Sequence, residues 1–373
     1  MSAAKSASDI YIGLMSGTSI DSIDVVAARF TEHPIELLAS LSYPIPEKVR
    51  SNILTLCSPG GDSVQLLAET DLQMGRLFAE AACTLMASLS LDISQITAIG
   101  SHGQTVRHSP PETGSAFTVQ IGDPNIIAAH SGCPVVADFR RKDMALGGQG
   151  APLVPAFHHQ LFSHDHLNRV IVNIGGMANI TVLPASGVCY GYDTGPGNVL
   201  LDAWILKHLN KSYDENGQWC ASGQVCTPLL LQLKAHPFFS QTAPKSTGRE
   251  AFNLSWLEQE LIGHSLPAED VQATLLALTA ESISDEILGL TPKTDEIYLC
   301  GGGAFNPVLV SQLESLLHPA IVSSTKVLGL DPCWVEAAAF AWLAKQRMEQ
   351  LPGNLPEVTG ASSKTVLGGL YLP

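Results

Sequence analysis

An aspartate followed by a glycine-rich turn is the residue of this sequence best suited to proton transfer. Asp193 stands in the stretch GYDTGPGN (191–198), at the predicted end of a strand. Thr194 to Gly197 predict a turn there, and Asn198 is the predicted N-cap of the next helix. A carboxylate held at such a place can act as a general base or bind a metal ion. An aspartate that only caps its own turn is the alternative, and the stretch alone leaves both interpretations open.

Three glycine-rich turns could bind phosphate through backbone N–H groups. They are SGTSIDS (16–22), IGGMAN (174–179) and GGGAFN (301–306), and each follows an apolar run. Glycine exposes backbone N–H groups because it lacks a Cβ and adopts positive φ. One such turn is typical of an ordinary hairpin, but three turns in equivalent places favour nucleotide binding. The sequence contains no P-loop pattern GxxxxGK[ST], and no GxGxxG turn opens a βαβ unit.

Charged residues elsewhere indicate contacts to an anionic substrate. Arg140 and Arg141 lie in the stretch VADFRRK, in a chain whose formal net charge is −15. A guanidinium binds a carboxylate through two parallel hydrogen bonds, so this cluster predicts an anion pocket, with a solvated turn as the alternative. KSTGRE (245–250) is a second basic segment, which we interpret as a solvated loop. Glu336, on a predicted alanine-rich helix in 334–344, is either exposed or directed at the substrate.

The elements that must position these residues occur in the same order in both halves of the chain. In the first half, the periodicity predicts strands at 9–15, 23–30, 35–45 and 96–105 and a helix at 63–89 with Ser63 as its N-cap. In the second half, it predicts a strand, a glycine-rich turn and a second strand over 169–184, a third strand at 187–195 and a strand ending in a glycine loop over 296–306. The predicted helices of this half are at 197–209 and 268–290. The repeated order predicts two similar α/β domains flanking a central cleft, where small ligands commonly bind.

The predicted domain boundaries follow from this repeat. The first domain covers residues 1–135, and the tail 361–373 is predicted to join it as an edge strand. The second domain covers residues 136–360, with a polar, loop-rich insertion near 212–266. A chain of 373 residues is long for a single core, which also favours two domains.

The composition is typical of a globular protein that acts on small molecules. Hydrophobic residues make up 45% of the chain and charged residues 15%. The negative net charge repels nucleic acid and anionic membranes, so neither is an expected partner. The eight cysteines form no CxxC pair and are expected to be reduced thiols in the cytoplasm. We expect neither a signal peptide nor a membrane span, because no run approaches about 18 apolar residues.

Taken together and in order, these motifs resemble the anhydro-N-acetylmuramic acid kinase family. The resemblance runs through nearly the whole chain and is carried by IGLMSGTSIDSIDVV, SHGQT, QIGDP, VADFRRKDMALGGQGAPLVP, VNIGGMANIT, DTGPGN, KSTGRE, CGGGAFNP and EAAAFAWLA. That family belongs to the sugar kinase/Hsp70/actin superfamily. The resemblance therefore implies an α/β fold with two similar ribonuclease-H-like domains, the actin-like ATPase architecture.

The resemblance also implies an ATP-dependent kinase of peptidoglycan recycling and amino-sugar metabolism. Its substrate would be 1,6-anhydro-N-acetylmuramic acid, which is opened by water and phosphorylated on O6. The products would be N-acetylmuramic acid 6-phosphate and ADP. ATP and Mg²⁺ are the implied cofactors, and a cytoplasmic homodimer is the implied form.

Residue roles follow from the same resemblance. Asp193 matches the catalytic aspartate. The residues assigned to ATP are Gly17, Thr18, Ser19, Ile20, Asp21, Ser22, Ile23, Asp24, Gly175, Gly176, Gly301, Gly302 and Gly303. The candidates for substrate contacts are His102, Gln104, Thr105, Asp123, Arg140, Arg141 and Glu336. Either Asp21 or Asp24 is the candidate Mg²⁺ ligand.

Two positions depart from the related patterns, and three other functions are open. Ser22 stands where many family members carry glycine, which bears on the flexibility of the first hairpin. Leu14 stands where the superfamily carries the aspartate of Asp-x-Gly-x-Thr, which leaves Asp21 or Asp24 to replace it. The alternatives are a sugar kinase acting on a free hydroxyl, a nucleotide-gated binding protein of the Hsp70/actin type, and a non-catalytic sensor that keeps the glycine turns.

Overall fold

The chain divides into two units, each built on its own sheet. The computed structural model describes residues 9–17, 20–30, 35–58, 60, 63–109, 111 and 114–373. The first unit runs to Leu161 and takes in Trp334–Pro373, and the second covers Phe162–Cys333.

A six-stranded mixed sheet forms the centre of the first unit. Its strands are β1 (Ile10–Met15), β2 (Ser22–Arg29), β3 (Glu36–Pro44), β4 (Ile96–Ser101), β7 (Val135–Ala137) and β13 (Gly369–Tyr371). They lie in the order β13-β7-β4-β1-β2-β3, and β5 (Gln104–Ser109) and β6 (Phe117–Ile121) form a separate hairpin. β1, β2 and β3 pair antiparallel, whereas β1, β4 and β7 pair parallel.

Helices complete the first unit. They are α1 (Glu47–Cys57), α2 (Val64–Ser88), α3 (Pro124–Ser131), α4 (Arg140–Ala145), α5 (Val154–Phe162), α11 (Val335–Met348) and α12 (Pro356–Thr359). α2 confirms the predicted helix, and its cap is also as predicted, because Ser63 Oγ accepts a 3.0 Å hydrogen bond from Leu66 N.

The second unit has a five-stranded sheet. Its strands are β8 (Arg169–Ile174), β9 (Met177–Leu183), β10 (Tyr190–Pro196), β11 (Glu296–Cys300) and β12 (Ile321–Ser324), in the order β10-β9-β8-β11-β12. Its helices are α6 (Val199–Leu209), α7 (Thr227–Lys234), α8 (Leu254–Glu260), α9 (Ala268–Leu288) and α10 (Pro307–Leu317).

The two sheets repeat one topology. In both, three strands pair antiparallel, and the last of them, β1 or β8, is the central strand of the five. On its other side, two further strands continue the sheet in parallel. Apart from the additional edge strand β13, the order of strands along the sheet is identical. The predicted duplicated α/β architecture is therefore confirmed.

The unit bounds differ from the predicted domain bounds at residues 135 and 360. The first unit extends past β7, because Phe157 of α5 packs against Trp342 of α11 with ring centroids 6.1 Å apart. The helix α11 in turn lies on β1 and β4 of the first sheet, which brings residues from 334 onward into the first unit. The tail ends in β13, which pairs antiparallel with β7 at the sheet edge.

The segment 212–266 is more than a polar insertion. It contains α7 and α8, and Leu229, Leu233, Phe252 and Leu257 are all fully buried in the core of the second unit. The two helices are only eight and seven residues long, so neither shows a helical period over more than about two turns.

Two glycines allow α11 to approach the first sheet closely. A Cβ on Gly13 would lie 1.9 Å from Ala337 O, and one on Gly100 would lie 2.0 Å from Phe340 O. Contacts that short are impossible, so only glycine permits this packing of helix on strand. The alanine-rich sequence of α11 predicted close packing, and the glycines of β1 and β4 supply the other half of it.

No helix in the described part of the chain is both long and apolar enough to cross a membrane.

Candidate active site

Asp193 lies on an irregular part of β10. The pairing of β10 with β9 shifts register between Asp193 and Gly195, and a bulge of this kind redirects a side chain. Thr194 Oγ1 donates to Ala178 O at 3.2 Å, and Gly195 has φ of 146°. The predicted turn at 194–197 is therefore wrong in its first residues, because the strand continues to Pro196.

The carboxylate of Asp193 is held through one oxygen. Oδ2 accepts 3.0 Å hydrogen bonds from Ser246 Oγ and Thr247 N, and the backbone N of Asp193 donates to Lys245 O at 3.1 Å. Burial raises the pKa of Asp193, the bonds from Thr247 and Ser246 lower it in part, and the charge of Glu250 raises it further. A half-buried carboxylate with an elevated pKa and one oxygen outside these bonds suits proton abstraction.

KSTGRE (245–250) is only in part the solvated loop that the sequence indicated, because Ser246, Arg249 and Glu250 are exposed but Lys245 is not. Lys245 is buried, with its Nζ 2.6 Å from Glu286 Oε1, and the next two residues hold Asp193. No local pattern separates this segment from an exposed basic loop. Its place among the motifs of the family resemblance was the signal that could have identified Ser246 and Thr247.

The start of α6 is bonded to the second glycine turn. Gly197 N donates to Gly176 O at 2.9 Å, and Asn198 N donates to Gly175 O at 2.8 Å. Asn198 Nδ2 donates to Ile174 O at 3.1 Å, so its side chain makes no cap bond to α6. Asn198 is the N-cap residue of α6, as predicted, but its side chain joins the start of this helix to the hairpin and makes no cap bond.

Several of the glycines assigned to phosphate binding are not required by packing. A Cβ built on Gly17 or Gly176 meets no atom within 4 Å, and one on Gly302 comes no closer than 3.8 Å to another atom. None of these three glycines has φ in the left-handed region. Because neither crowding nor backbone conformation demands glycine here, the open space beside the backbone leaves room for a ligand.

Gly301 and Gly303 are required by packing. A Cβ on Gly301 would lie 2.4 Å from Asn173 Oδ1, and one on Gly303 would lie 2.3 Å from Ile174 Cγ2. These glycines let the third turn pack against the end of β8, the same strand end that bonds to Asn198.

The first glycine turn is described in part, and the predicted ligands Thr18 and Ser19 lie outside the described residues. Ser16, the first residue of this turn, donates through Oγ to Gln104 Oε1 at 2.6 Å. Ile20 is buried with φ of 55°, a strained conformation for a β-branched residue. The turn is thus tied to the strand end of the SHGQT stretch.

The two candidate Mg²⁺ ligands differ in exposure. Asp21 is exposed and accepts a 3.0 Å hydrogen bond from Ser22 N. Asp24 Oδ1 accepts a 2.9 Å hydrogen bond from Ser42 Oγ, and burial, together with the charge of Asp21, raises the pKa of Asp24. Ile23 is fully buried in the core, so this residue exposes no atom to a ligand here.

Glu336 lies near Asp24 and Arg140. Burial and the charge of Asp24 raise the pKa of Glu336, and Arg140 lowers it in part. The structure therefore brings together, within the first unit, two carboxylates and a guanidinium that are far apart in sequence.

Arg140 is a half-buried cation bonded to neutral acceptors. Its Nη1 donates to Gly150 O at 2.9 Å, and its Nη2 lies 2.8 Å from His102 Nε2. Burial lowers the pKa of Arg140 to about 10, so it stays charged at neutral pH. Burial and Arg140 lower the pKa of His102 to about 3. Since a guanidinium only donates, Nε2 of the neutral ring accepts and the proton resides on Nδ1.

The remaining substrate candidates are bonded elsewhere within the first unit. Arg141 is exposed, with its Nε 3.1 Å from Asp138 Oδ1. Thr105 Oγ1 accepts a 3.1 Å hydrogen bond from Gln120 Nε2. Asp123 Oδ1 accepts a 2.8 Å bond from the first turn of α3, which makes Asp123 the cap of that helix. Of the two arginines, Arg140 has the burial and the charged neighbours of a binding residue.

The chain is similar to characterised families over nearly its full length. A family model described as "AnmK: Anhydro-N-acetylmuramic acid kinase" matches residues 9–373. An anhydro-N-acetylmuramic acid kinase of Coxiella burnetii (strain Dugway 5J108-111) is 50% identical over 363 residues, which is 97% of this chain and 97% of that protein. The corresponding protein of Shewanella loihica is 52% identical over 364 residues, covering 97% and 98%.

Two solved structures are similar at low identity. One is the activator of 2-hydroxyisocaproyl-CoA dehydratase from Clostridium difficile with bound ADPNP, at 14% identity and a TM-score of 0.43, covering 91% of this chain and 97% of that chain. The other is a ROK family glucokinase from Streptomyces griseus in complex with glucose and AMPPNP, at 11% identity and a TM-score of 0.39, covering 90% and 99%.

Proposed function

The chain belongs to the anhydro-N-acetylmuramic acid kinase family, and we propose that it opens 1,6-anhydro-N-acetylmuramic acid with water while phosphorylating O6. As a member of this family it is a carbohydrate phosphotransferase that uses ATP. The products are N-acetylmuramic acid 6-phosphate and ADP, as peptidoglycan recycling requires.

The substrate dictates that opening and phosphorylation be coupled. O6 is an ether oxygen bonded to C1, so it has no proton to lose, and phosphorylation alone would leave a positively charged oxygen with three bonds. In the coupled step, a water oxygen bonds to C1 as the C1–O6 bond breaks. The electron pair of that bond goes to O6, which takes the γ-phosphoryl group as ADP leaves. C1 carries oxocarbenium-like charge in the transition state, as in glycoside cleavage.

Asp193 is the proposed base that takes the proton of the attacking water. The observation that carries this assignment is its geometry: Oδ2 is held by Ser246 and Thr247, while burial raises the pKa of the carboxylate. A base held in this way keeps one oxygen for water and needs no reorganisation during the step. Such a base typically contributes about 10²–10⁴-fold to the rate.

Arg140 is the proposed partner of the lactyl carboxylate. A half-buried guanidinium with two neutral acceptors is stabilised by an additional anion, and its buried Nε has no partner within the described residues. His102 helps by accepting from Nη2, which fixes the orientation of the planar group. Gln104 Oε1 already accepts a hydrogen bond from Ser16 Oγ. A contact of Gln104 with the sugar would either leave this bond in place or exchange it for a bond to the sugar.

The glycine turns are the proposed ATP phosphate contacts. Gly17 and Gly176 have open space beside the backbone, which lets phosphate oxygens approach the N–H groups. Phosphoryl transfer depends mainly on positioning and on neutralising charge, and backbone donors serve both.

Mg²⁺ fits the carboxylates of the first unit, provided that phosphate completes its coordination. In the described part of the chain no group of three or more His, Cys, Asp or Glu could hold a metal by itself, but Mg²⁺ is commonly bound through one or two carboxylates plus substrate phosphates. Burial raises the pKa of Asp24 and of Glu336, and the neighbouring carboxylates raise both further, so Asp24 lies among like charges that a cation would neutralise. When bound, Mg²⁺ supplies charge neutralisation at the transferred phosphoryl group.

We also propose that the protein is a cytoplasmic homodimer. ATP is available in the cytoplasm, and all eight cysteines are free thiols, as expected of a reducing compartment.

Substituting Asp193→Asn tests the proposed function directly. We expect the variant to fold and bind ATP but to lose about 10²–10⁴-fold in turnover of the anhydro sugar. Glu258→Gln, an exposed carboxylate of α8 paired with Lys207, is the matched control and should retain wild-type turnover. Normal turnover by Asp193→Asn would refute the base assignment. Phosphorylation of free N-acetylmuramic acid as fast as the anhydro sugar would instead favour an ordinary sugar kinase.

A further inference from the structure

A buried ion pair lies directly behind the loop that holds Asp193. The side chain of Lys245 is 1% exposed, and its Nζ is 2.6 Å from Glu286 Oε1. The ammonium also lies 3.4 Å from Phe238 O and 4.7 Å from the centroid of the Phe238 ring. A lysine buried to this extent requires such partners, because an unpaired ammonium in the interior is strongly unfavourable.

Glu286 holds a second element at the same time. The hydroxyl of Tyr192 donates to Glu286, and burial together with that carboxylate raises the pKa of Tyr192. Tyr192 precedes Asp193 in β10, so the two side chains point to opposite faces of the sheet. One carboxylate of α9 therefore binds both the strand that carries Asp193 and the loop that contacts it.

The loop contacts Asp193 through three consecutive residues. Lys245 O accepts from Asp193 N at 3.1 Å, and Ser246 Oγ and Thr247 N donate to Asp193 Oδ2 at 3.0 Å. Glu286 thus binds both segments that meet here. It contacts β10 at Tyr192, one residue before Asp193, and it contacts the loop at Lys245. A shift of the loop would break the two bonds that orient the carboxylate.

We propose that the Lys245–Glu286 ion pair, with Tyr192, positions the 245–247 loop on Asp193 and so sets the orientation of this carboxylate. The inference rests on the proposed role of Asp193 as the base. Lys245 and Glu286 are positioning residues, since they act through Ser246 and Thr247 and not on the substrate.

The sign of the effect follows from the groups that face Asp193. Burial and Glu250 raise the pKa of Asp193, and the donors Thr247 and Ser246 lower it. Loosening the loop removes the donors, so the pKa rises. Because the base must be ionised, the acid limb of the kcat/KM profile moves to higher pH and kcat at neutral pH falls.

The test is the double variant Lys245→Met/Glu286→Gln. It removes one positive and one negative charge, so the net charge near Asp193 is unchanged and the Coulomb contribution to a shift is reduced. We expect the acid limb to move up by about one pH unit and kcat to fall by about 10–100-fold, with the KM for ATP unchanged. Lys234→Met is the matched control, because Lys234 also pairs with α9, through Glu281 and Asp285; its acid limb should not move.

Tyr192→Phe keeps the test decisive should the double variant not fold. It removes only the hydroxyl that binds Glu286, and we expect a smaller shift in the same direction. A folded double variant, or Tyr192→Phe alone, with the wild-type acid limb and kcat would overturn the proposal. If Asp193→Asn abolishes turnover while these variants behave as wild type, only the positioning role fails. If Asp193→Asn retains turnover, the base assignment on which this inference rests fails.

Discussion

Arg140 and Arg141 are adjacent in sequence, but the structure gives them different surroundings. Arg140 is bonded to His102 and Gly150 and lies near Glu336, whereas Arg141 is exposed beside Asp138. Sequence reasoning could select the pair but not the member, because α4 is only six residues long and neighbouring positions on a helix point about 100° apart. Burial makes the distinction.

Replacing each arginine with lysine separates the two. Arg140→Lys should raise the KM for 1,6-anhydro-N-acetylmuramic acid by about 10–100-fold, because an ammonium cannot make the two parallel bonds of a guanidinium. Arg141→Lys should leave KM unchanged. Steady-state kinetics checks this, with 1,6-anhydro-N-acetylglucosamine, which lacks the lactyl group, as a second substrate. An Arg140→Lys effect of equal size on that sugar would show that the lactyl carboxylate is not the partner.

At the level of elements, glycine has two separable roles in this chain. Gly13 and Gly100 admit α11 to the sheet, whereas Gly17 and Gly176 border open space. Since α11 carries Glu336 in its first turn, the close packing of helix on strand also fixes that carboxylate relative to Asp24 on β2. Substitution by alanine should therefore affect a different property at each kind of glycine.

Gly100→Ala should destabilise the protein, whereas Gly17→Ala should weaken ATP binding without loss of stability. The new methyl group at position 100 would meet Phe340 O and force the helix outward, at a cost of about 1–3 kcal/mol or more. At position 17 the methyl group has room in the free protein but occupies space proposed for a phosphate. Thermal unfolding and ATP titration check the two effects. A stable Gly100→Ala protein, or normal ATP affinity of Gly17→Ala, would contradict them.

The elements themselves were largely predictable from periodicity. The helix over α2 and its cap at Ser63, and the repeated strand pattern, were found because each follows a regular spacing of apolar residues. The role of the 245–250 loop could not be predicted in this way, because it depends on a buried lysine whose partner is 41 residues away on α9. The bulge at Asp193 and the bond from Asn198 to Ile174 are likewise tertiary contacts with no local signal.

At the scale of the whole chain, a negative surface and a repeated topology were both evident from sequence. The boundary between the units was not, because residues 334–373 return to the first unit through α11 and β13. When a distant segment completes a domain, the amino-acid composition does not change at the residue where the chain passes from one unit to the other.

Asp202 should make the stability of the protein depend on pH. It lies in the first turn of α6, and burial raises its pKa from 3.8 to about 7, although Arg249 opposes the shift. The folded state therefore retains a proton that the unfolded chain has lost between these two values, so the contribution of Asp202 to stability falls as pH rises, by about 1.4 kcal/mol for each pH unit.

The substitution Asp202→Asn should remove this dependence. Relative to wild type, the thermal unfolding midpoint of the variant should rise progressively from pH 4 to pH 7, as expected from the raised pKa. Glu258→Gln, at an exposed position, provides the reference and should show no such trend. A constant difference between Asp202→Asn and wild type across this range would show that Asp202 has an ordinary pKa.

The coupling of water attack to phosphorylation is the central claim, and isotope placement tests it most directly. The reaction is run with ATP in ¹⁸O-labelled water and stopped early, and a parallel sample of unlabelled N-acetylmuramic acid 6-phosphate in the same water corrects for exchange at C1. We predict one ¹⁸O on C1 of the new product, above that correction, and none in its phosphate group. Label in free phosphate, with C1 no more labelled than the exchange sample, would contradict the account.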